Sequence, residues 1–164
     1  MNIRIELASD HPALSALVTE AFRGGVHSCG YEAEIVPRLR AAGALTLSLV
    51  ATGPDGPIGQ VAASPATIDG ETGWVGFGPL AVLPAEQRKG VGSALMTKAL
   101  DMLRPQVARG AVLVGDPNYY RRFGFAAYPE LCVAGVPPAC VLALPFDGVS
   151  PRGAAVFHSA FAPV

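Results

Sequence analysis

A chain of 164 residues, 51% hydrophobic and 15% charged, is long enough for one domain with a true core and is neither disordered nor a polyelectrolyte. A formal net charge of −1 excludes a global field for nucleic acid or an acidic membrane, so any basic site is local. Residues 1–9 hold no apolar stretch of signal-peptide length, and no run approaches the ~18 apolar residues that span a bilayer. The cysteines Cys29, Cys132 and Cys140 have no metal-ligand spacing. The expectation is a reduced cytoplasmic protein, a single domain over 1–164, with no metal, membrane or nucleic-acid partner.

Ile3, Ile5 and Leu7 alternate with polar residues as in a first strand. Ser9 or Asp10 caps a helix that has Pro12 in its first turn, carries Leu14, Leu17, Val18, Ala21 and Phe22 inward, and ends at Gly24-Gly25. Residues 31–42 read as a second helix with Ile35, Val36 and Leu39 on its apolar face. Strands follow over 45–52, over 58–68 with an interruption at Pro65, and over 74–83, separated by the turns Gly53-Pro-Asp-Gly56 and Asp69-Gly70. The strongest helical pattern runs from Gln87 to Leu103, with Val91, Leu95, Ala99 and Met102 in phase and Pro105 closing it. A short strand over 111–114 precedes Asp116-Pro117, an N-cap with proline at the first helical position. Phe123-Gly-Phe125 then enters another strand and 141–144 a last one; the apolar tail 154–161 either finishes the sheet or packs on a partner subunit. A run of hairpin strands with later crossovers makes an α+β protein with one sheet.

The chemistry concentrates in Pro79-Leu-Ala-Val-Leu-Pro-Ala-Glu-Gln-Arg-Lys-Gly-Val-Gly-Ser-Ala-Leu95. A strand feeds a helix through a basic, glycine-bearing turn. The first amides of a helix lack intrahelical partners and carry partial positive charge. Gly90 and Gly92 leave room for a phosphate to reach them, Arg88 and Lys89 add charge at the rim, and Ser93 adds a hydroxyl. The other reading of the same residues is a glycine-softened helix start with solvated basic side chains. The chain has no G-x-x-x-x-G-K-[ST] loop, and Gly76-Phe-Gly-Pro-Leu-Ala81 mimics a dinucleotide fingerprint inside a strand, where Pro79 blocks a helix.

Gln87-Arg-Lys-Gly90-Val-Gly92 resembles the Q/R-x-x-G-x-G/A motif of GNAT acetyltransferases, and it lies, as there, between a strand and a long helix. Tyr120-Arg-Arg-Phe-Gly124-Phe125 resembles their Y-x-x-x-G-F segment, and the longer string 114–125 is similar to the YhbS-like group. The resemblance implies a GNAT-like α+β fold: a single mixed, mostly antiparallel sheet of six to seven strands, splayed between strands 4 and 5, with helices on both faces. Gly76, Gly78 and Pro79 would break regular pairing at the splay.

It also implies an N-acetyltransferase that moves the acetyl group of acetyl-CoA, with no metal, to a primary amine in a ternary complex, and at family level a homodimer. The backbone of Leu80, Ala81 and Val82 would pair with the pantetheine arm, with an N–H near Leu80 or Ala81 at the thioester oxygen. Gln87, Arg88, Lys89, Gly90, Val91, Gly92, Ser93 and Ala94 would hold the pyrophosphate; Asn118, Tyr119 and Arg122 would contact the cofactor, Arg88, Lys89 and Arg121 being further candidates for the ribose phosphate. Tyr120, four residues before Gly124, would be the general acid that protonates the departing thiolate. Two features depart from the pattern: the tyrosine-bearing helix is cut to 116–120, and the strand over 74–83 carries no carboxylate to serve as base. His27, Glu32 and Glu34 border the expected acceptor side without any one of them standing out. Two other readings share the motifs: an acyl-CoA-binding sensor without turnover, and a transferase for another acyl group or an oxygen acceptor.

Overall fold

The computed structural model describes residues 1–25 and 28–163. Period-2 alternation in the central strands sorts side chains onto two faces, and each face buries a separate set of helices. The strands are β1 (Asn2–Ile5), β2 (Leu47–Gly53), β3 (Gly56–Ile68), β4 (Glu71–Val82), β5 (Gly110–Val114), β6 (Leu131–Cys132), β7 (Val141–Pro145) and β8 (Gly153–Phe157). The helices are α1 (His11–Phe22), α2 (Glu32–Ala41), α3 (Val91–Leu103) and the single turn α4 (Pro117–Tyr120). The sheet runs β1-β2-β3-β4-β5-β7, antiparallel except for the parallel β4–β5 pair. β8 takes up the edge of β3 beyond the end of β2, and β6 pairs with β8.

On one face Val91, Leu95, Met96, Ala99 and Leu103 of α3 pack on Leu49, Val61, Val75, Phe77 and Leu113. On the other, Leu17 and Val18 of α1 cover Ala81, while Ile35 and Leu39 of α2 hold Ala160 of the C-terminal segment. Further along that second face Trp74, Val112 and Ala143 pack with Leu131 and Ala155.

The order of the major elements agrees with the sequence reading, and the differences have local causes. There are eight strands among the described residues, not six to seven; β6 is only two residues long and has no periodicity to read. The tail finishes the sheet as β8. Pro65 does not interrupt β3: it lies in the gap where β2 has ended at Leu47–Ala63 and β8 begins at Phe157–Ala66, where a missing N–H costs least. Residues 123–125 enter no strand, because Arg121–Phe123 close as a 3-10 turn and only an isolated Ala126–Ala143 bridge follows. The long helix begins at Val91 rather than Gln87, preceded by a 3-10 turn over Pro84–Glu86. Met102 only flanks the core, and Leu103 fills it.

Asp10 occupies the N-cap position of α1 without capping it. Its carboxylate accepts the Leu7 N–H at 2.7 Å and a bidentate pair from the Arg4 guanidinium at 2.7 and 2.9 Å. The Arg4 bond is the main reason its pKa falls from 3.8 to about 2. A depressed carboxylate stabilises the fold above its unfolded pKa and loses that contribution as pH falls through its folded value. Asp10→Ala is therefore expected to cost about 2 kcal/mol at neutral pH. The deficit relative to wild type should shrink between about pH 4 and pH 2, read by urea melts at each pH.

Candidate active site

The site grows out of a break in the sheet. β4 pairs with β5 at Trp74–Gly110, Val75–Ala111 and Gly76–Val112, and the pairing then stops. Against β3, Val61 faces Leu80 but Ala63 faces Phe77, so β4 carries one extra residue at Gly78–Pro79. Such a bulge bends the strand and frees its outer edge. Beyond it the Leu83 N–H donates to the Ile58 carbonyl at 2.9 Å. Alternation along the ladder therefore turns the amide of Ala81 toward β3 and those of Leu80 and Val82 into the opening.

At the far end of this edge the chain makes a turn of unusual backbone. Arg88 has φ 63° and Gly90 φ 85°, both left-handed. After the Gln87 amide, which donates to the Pro84 carbonyl, the next amide to find an acceptor is that of Ala94, which donates to the Gly90 carbonyl at 3.0 Å. The N–H groups from Arg88 to Ser93 have no backbone acceptor, as at any helix start. The two glycines do different work. Gly90 supplies the left-handed conformation with open space around it, whereas at Gly92 a Cβ would come within 2.7 Å of the Tyr119 hydroxyl and 3.7 Å of Val82. Gln87 ties the turn to the open edge by donating its side-chain amide to the Val82 carbonyl at 3.1 Å.

These pieces line one cleft of about 520 Å³, formed by Leu80, Val82, Gln87, Arg88, Gly90, Val91, Gly92, Ser93, Tyr119 and Arg122. Arg122 stacks over the Tyr119 ring at 4.4 Å and donates Nε to the Tyr119 carbonyl at 2.8 Å, so its charge sits at the cleft wall. Ala81, Lys89, Ala94, Asn118 and Tyr120 are not brought to this lining. Ala81 turns inward under α1, Lys89 reaches out to Glu86 at 3.5 Å, Ala94 faces a separate surface depression beside β1, and the Asn118 N–H is taken by the capping Asp116 carboxylate at 2.9 Å. Glu86 also lines the cleft. Sequence reasoning passed over it, although it stands next to Gln87 in the motif string.

Tyr120 stands behind Tyr119, edge-on to it at 4.9 Å and to Phe125 at 6.1 Å. A Cβ on Gly115 would come within 2.5 Å of its ring, so the absence of a side chain there seats the ring against β5. Burial first, and the Tyr119 phenol second, push its pKa up to about 12. Trp74, Phe77 and Phe125 are buried in the two cores.

Of the acceptor-side residues, His27 lies outside the described residues. Glu32 is buried and accepts the Cys29 N–H at 2.6 Å. Burial opposes its charge, but its own amide, the Ser28 hydroxyl and the Cys29 amide together hold its pKa below the ordinary value. Glu34 is paired with Arg38. Among the described residues no cluster of His, Cys, Asp and Glu could hold a metal, and no helix is long and apolar enough to cross a membrane.

The sequence profile of the acetyltransferase (GNAT) domain matches residues 45–127. The uncharacterized N-acetyltransferase YhbS of Escherichia coli K12 is 41% identical over 135 residues, 80% of this chain and 78% of that protein. A GNAT family acetyltransferase from Brucella melitensis, solved in complex with acetyl-CoA, superposes with a TM-score of 0.86 at 43% identity, covering 98% of this chain and 97% of that one. The E. coli YhbS structure, in complex with CoA, also gives 0.86, at 34% identity over 99% of this chain and 92% of its own. The chain as a whole thus has close counterparts in sequence and in structure, and it belongs to the GNAT family of N-acetyltransferases.

Proposed function

We propose that this chain is a cytoplasmic, single-domain enzyme that transfers the acetyl group of acetyl-CoA to a primary amine by direct attack in a ternary complex. The observation that carries this reading is the continuity of the cleft. It joins the outward amides of Leu80 and Val82 on β4, which suit an amide-bearing pantetheine arm, to the unpartnered amides beside Gly90 and Gly92, which suit a pyrophosphate. The relatives solved with acetyl-CoA and with CoA support it.

In this reading the neutral amine nitrogen attacks the thioester carbonyl carbon, and the outward Leu80 N–H stabilises the oxyanion that forms. As the C–S bond breaks and the amide forms, the sulfur accepts the Tyr120 proton; the proton lost by the amine passes through solvent and restores the phenol. The products are the acetylated amine and CoA thiol. Arg88 and Arg122 meet the phosphates at the rim. Burial keeps Tyr120 protonated at working pH, as an acid must be, and its high pKa weights its role toward hydrogen bonding to the developing thiolate.

Acetyl-CoA-dependent thiol release with a panel of primary amines tests this. Amine-dependent release is the expected result. Saturable acetyl-CoA binding with no release across the panel would replace transfer by acyl-CoA sensing.

A further inference from the structure

The face of the opening opposite α3 is apolar apart from Ser64, whose buried hydroxyl lies beside Gly76 without a hydrogen-bond partner, and the cofactor cleft does not use it. Gly76 and Gly78 point to this face of β4. A Cβ on Gly76 would come within 2.6 Å of the Phe157 ring, and one on Gly78 within 3.2 Å of the Phe161 ring. The two rings lie 5.7 Å apart and are only half-buried. The segment that carries them is fixed from α2 and the residue before it: the Tyr31 hydroxyl donates to the Phe161 carbonyl at 3.1 Å, and Arg38 donates to the Ala162 carbonyl at 3.1 Å.

Across the opening stands Val114, the last residue of β5. Gly76 pairs with Val112, so Val114 is the residue that Gly78 would meet had the parallel pairing continued. Val114 alternates onto the same face as Val112 of the second-face core, and it is 45% exposed. Phe157, Phe161 and Val114 therefore make apolar walls on the two sides of the point where β4 and β5 part. The neighbouring acids are turned away, Glu32 toward the Cys29 amide and Glu34 toward Arg38.

The geometry points to an acceptor class: we propose that the acceptor is a primary amine on an arylalkyl or similarly apolar body, which lodges between the Phe157–Phe161 pair and Val114 with its nitrogen directed into the opening. This rests on the acetyl-transfer reading above. A direct transfer needs its two reactants to approach the thioester from different sides. The cofactor cleft occupies the α3 side through Leu80, Val82 and Tyr119, which leaves the aromatic side for the amine. A polyamine or a lysine-rich peptide brings further ammonium groups, and the walls offer them no carboxylate as counter-charge.

The test compares phenethylamine with spermidine as acceptors in steady-state thiol release, on wild type, Val114→Asp and Phe161→Leu. Val114 is exposed, so its replacement leaves the core untouched, and Phe161→Leu keeps apolar packing while removing the ring. Wild type should favour phenethylamine in kcat/KM by about tenfold or more, and each variant should raise the phenethylamine KM by about tenfold. The calorimetric Kd for acetyl-CoA should stay within about twofold of wild type. Preference for spermidine, an unchanged phenethylamine KM in both variants, or no release with phenethylamine from protein that binds acetyl-CoA would overturn the acceptor class. Absence of acetyl-CoA binding by wild type would instead remove the transfer reading beneath it.

Discussion

Gly92→Ala should weaken acetyl-CoA binding by about ten- to a hundredfold, the loss of one or two charge-assisted hydrogen bonds, while leaving Tm unchanged or slightly raised. The two effects separate because Gly92 is glycine for room and not for conformation. Its φ is not among the left-handed values, and alanine is the better helix former by up to about 1 kcal/mol. The added methyl would fill the space between the Tyr119 hydroxyl at 2.7 Å and Val82 at 3.7 Å, over the amides that open α3. The phenol end of Tyr119 can swing aside at little cost to the fold; a pyrophosphate seated on those amides has nowhere else to go. Calorimetric titration and a thermal melt on the same preparation read both quantities. Equal affinity in the variant would place the phosphates elsewhere, and a large drop in Tm would make Gly92 a packing residue.

Tyr120→Phe should lower kcat by about 10²–10⁴, the usual worth of a positioned general acid, with the acetyl-CoA Kd unchanged. The pH profile separates this role from a packing role. Burial raises the phenol pKa to about 12, so the protonated form persists throughout the range in which an ordinary tyrosine, near 10, would ionise. An alkylamine of pKa near 10.4 is only about 0.04% neutral at pH 7, so wild-type kcat/KM should climb with pH as the acceptor sheds its proton. It should show no descending limb near pH 10. Gly115→Ala supplies the geometric counterpart, since its methyl would press on the Tyr120 ring and should reproduce part of the kcat loss. A descending limb at or below pH 10, or activity that survives Tyr120→Phe and is lost in Tyr119→Phe, would move the acid one residue back.

Much of the scaffold was legible in the chain because its signals are local. The alternation of Ile3 and Ile5, the apolar run over 45–52 bounded by its turn, the helical phase of Val91, Leu95 and Ala99, and the Asp116-Pro117 cap each place an element within a few residues of where it stands. The start of α3 was misread because apolar spacing carries no penalty for Arg88 at φ 63° or Gly90 at φ 85°; only the folded backbone shows that residues 87–90 form a turn. β6 escaped notice because two residues cannot display a period.

The cofactor side of the site was readable from its motif, whereas the assignment of single residues to it was not. Ala81 looked equivalent to Leu80 and Val82 until the Leu83–Ile58 hydrogen bond fixed the phase of the ladder. Gly76 and Gly78 looked like breakers of pairing. The bulge does fall at Gly78–Pro79, but the same glycines also make room for Phe157 and Phe161, a contact between segments some 80 residues apart that no local pattern encodes.

The central claim is that the turn beside α3 and the open edge of β4 form one acetyl-CoA site, and a calorimetric titration of the wild-type chain with acetyl-CoA tests it most directly. The account predicts saturable one-to-one binding with a Kd in the micromolar range, about −8 kcal/mol. No heat of binding at millimolar acetyl-CoA would contradict it.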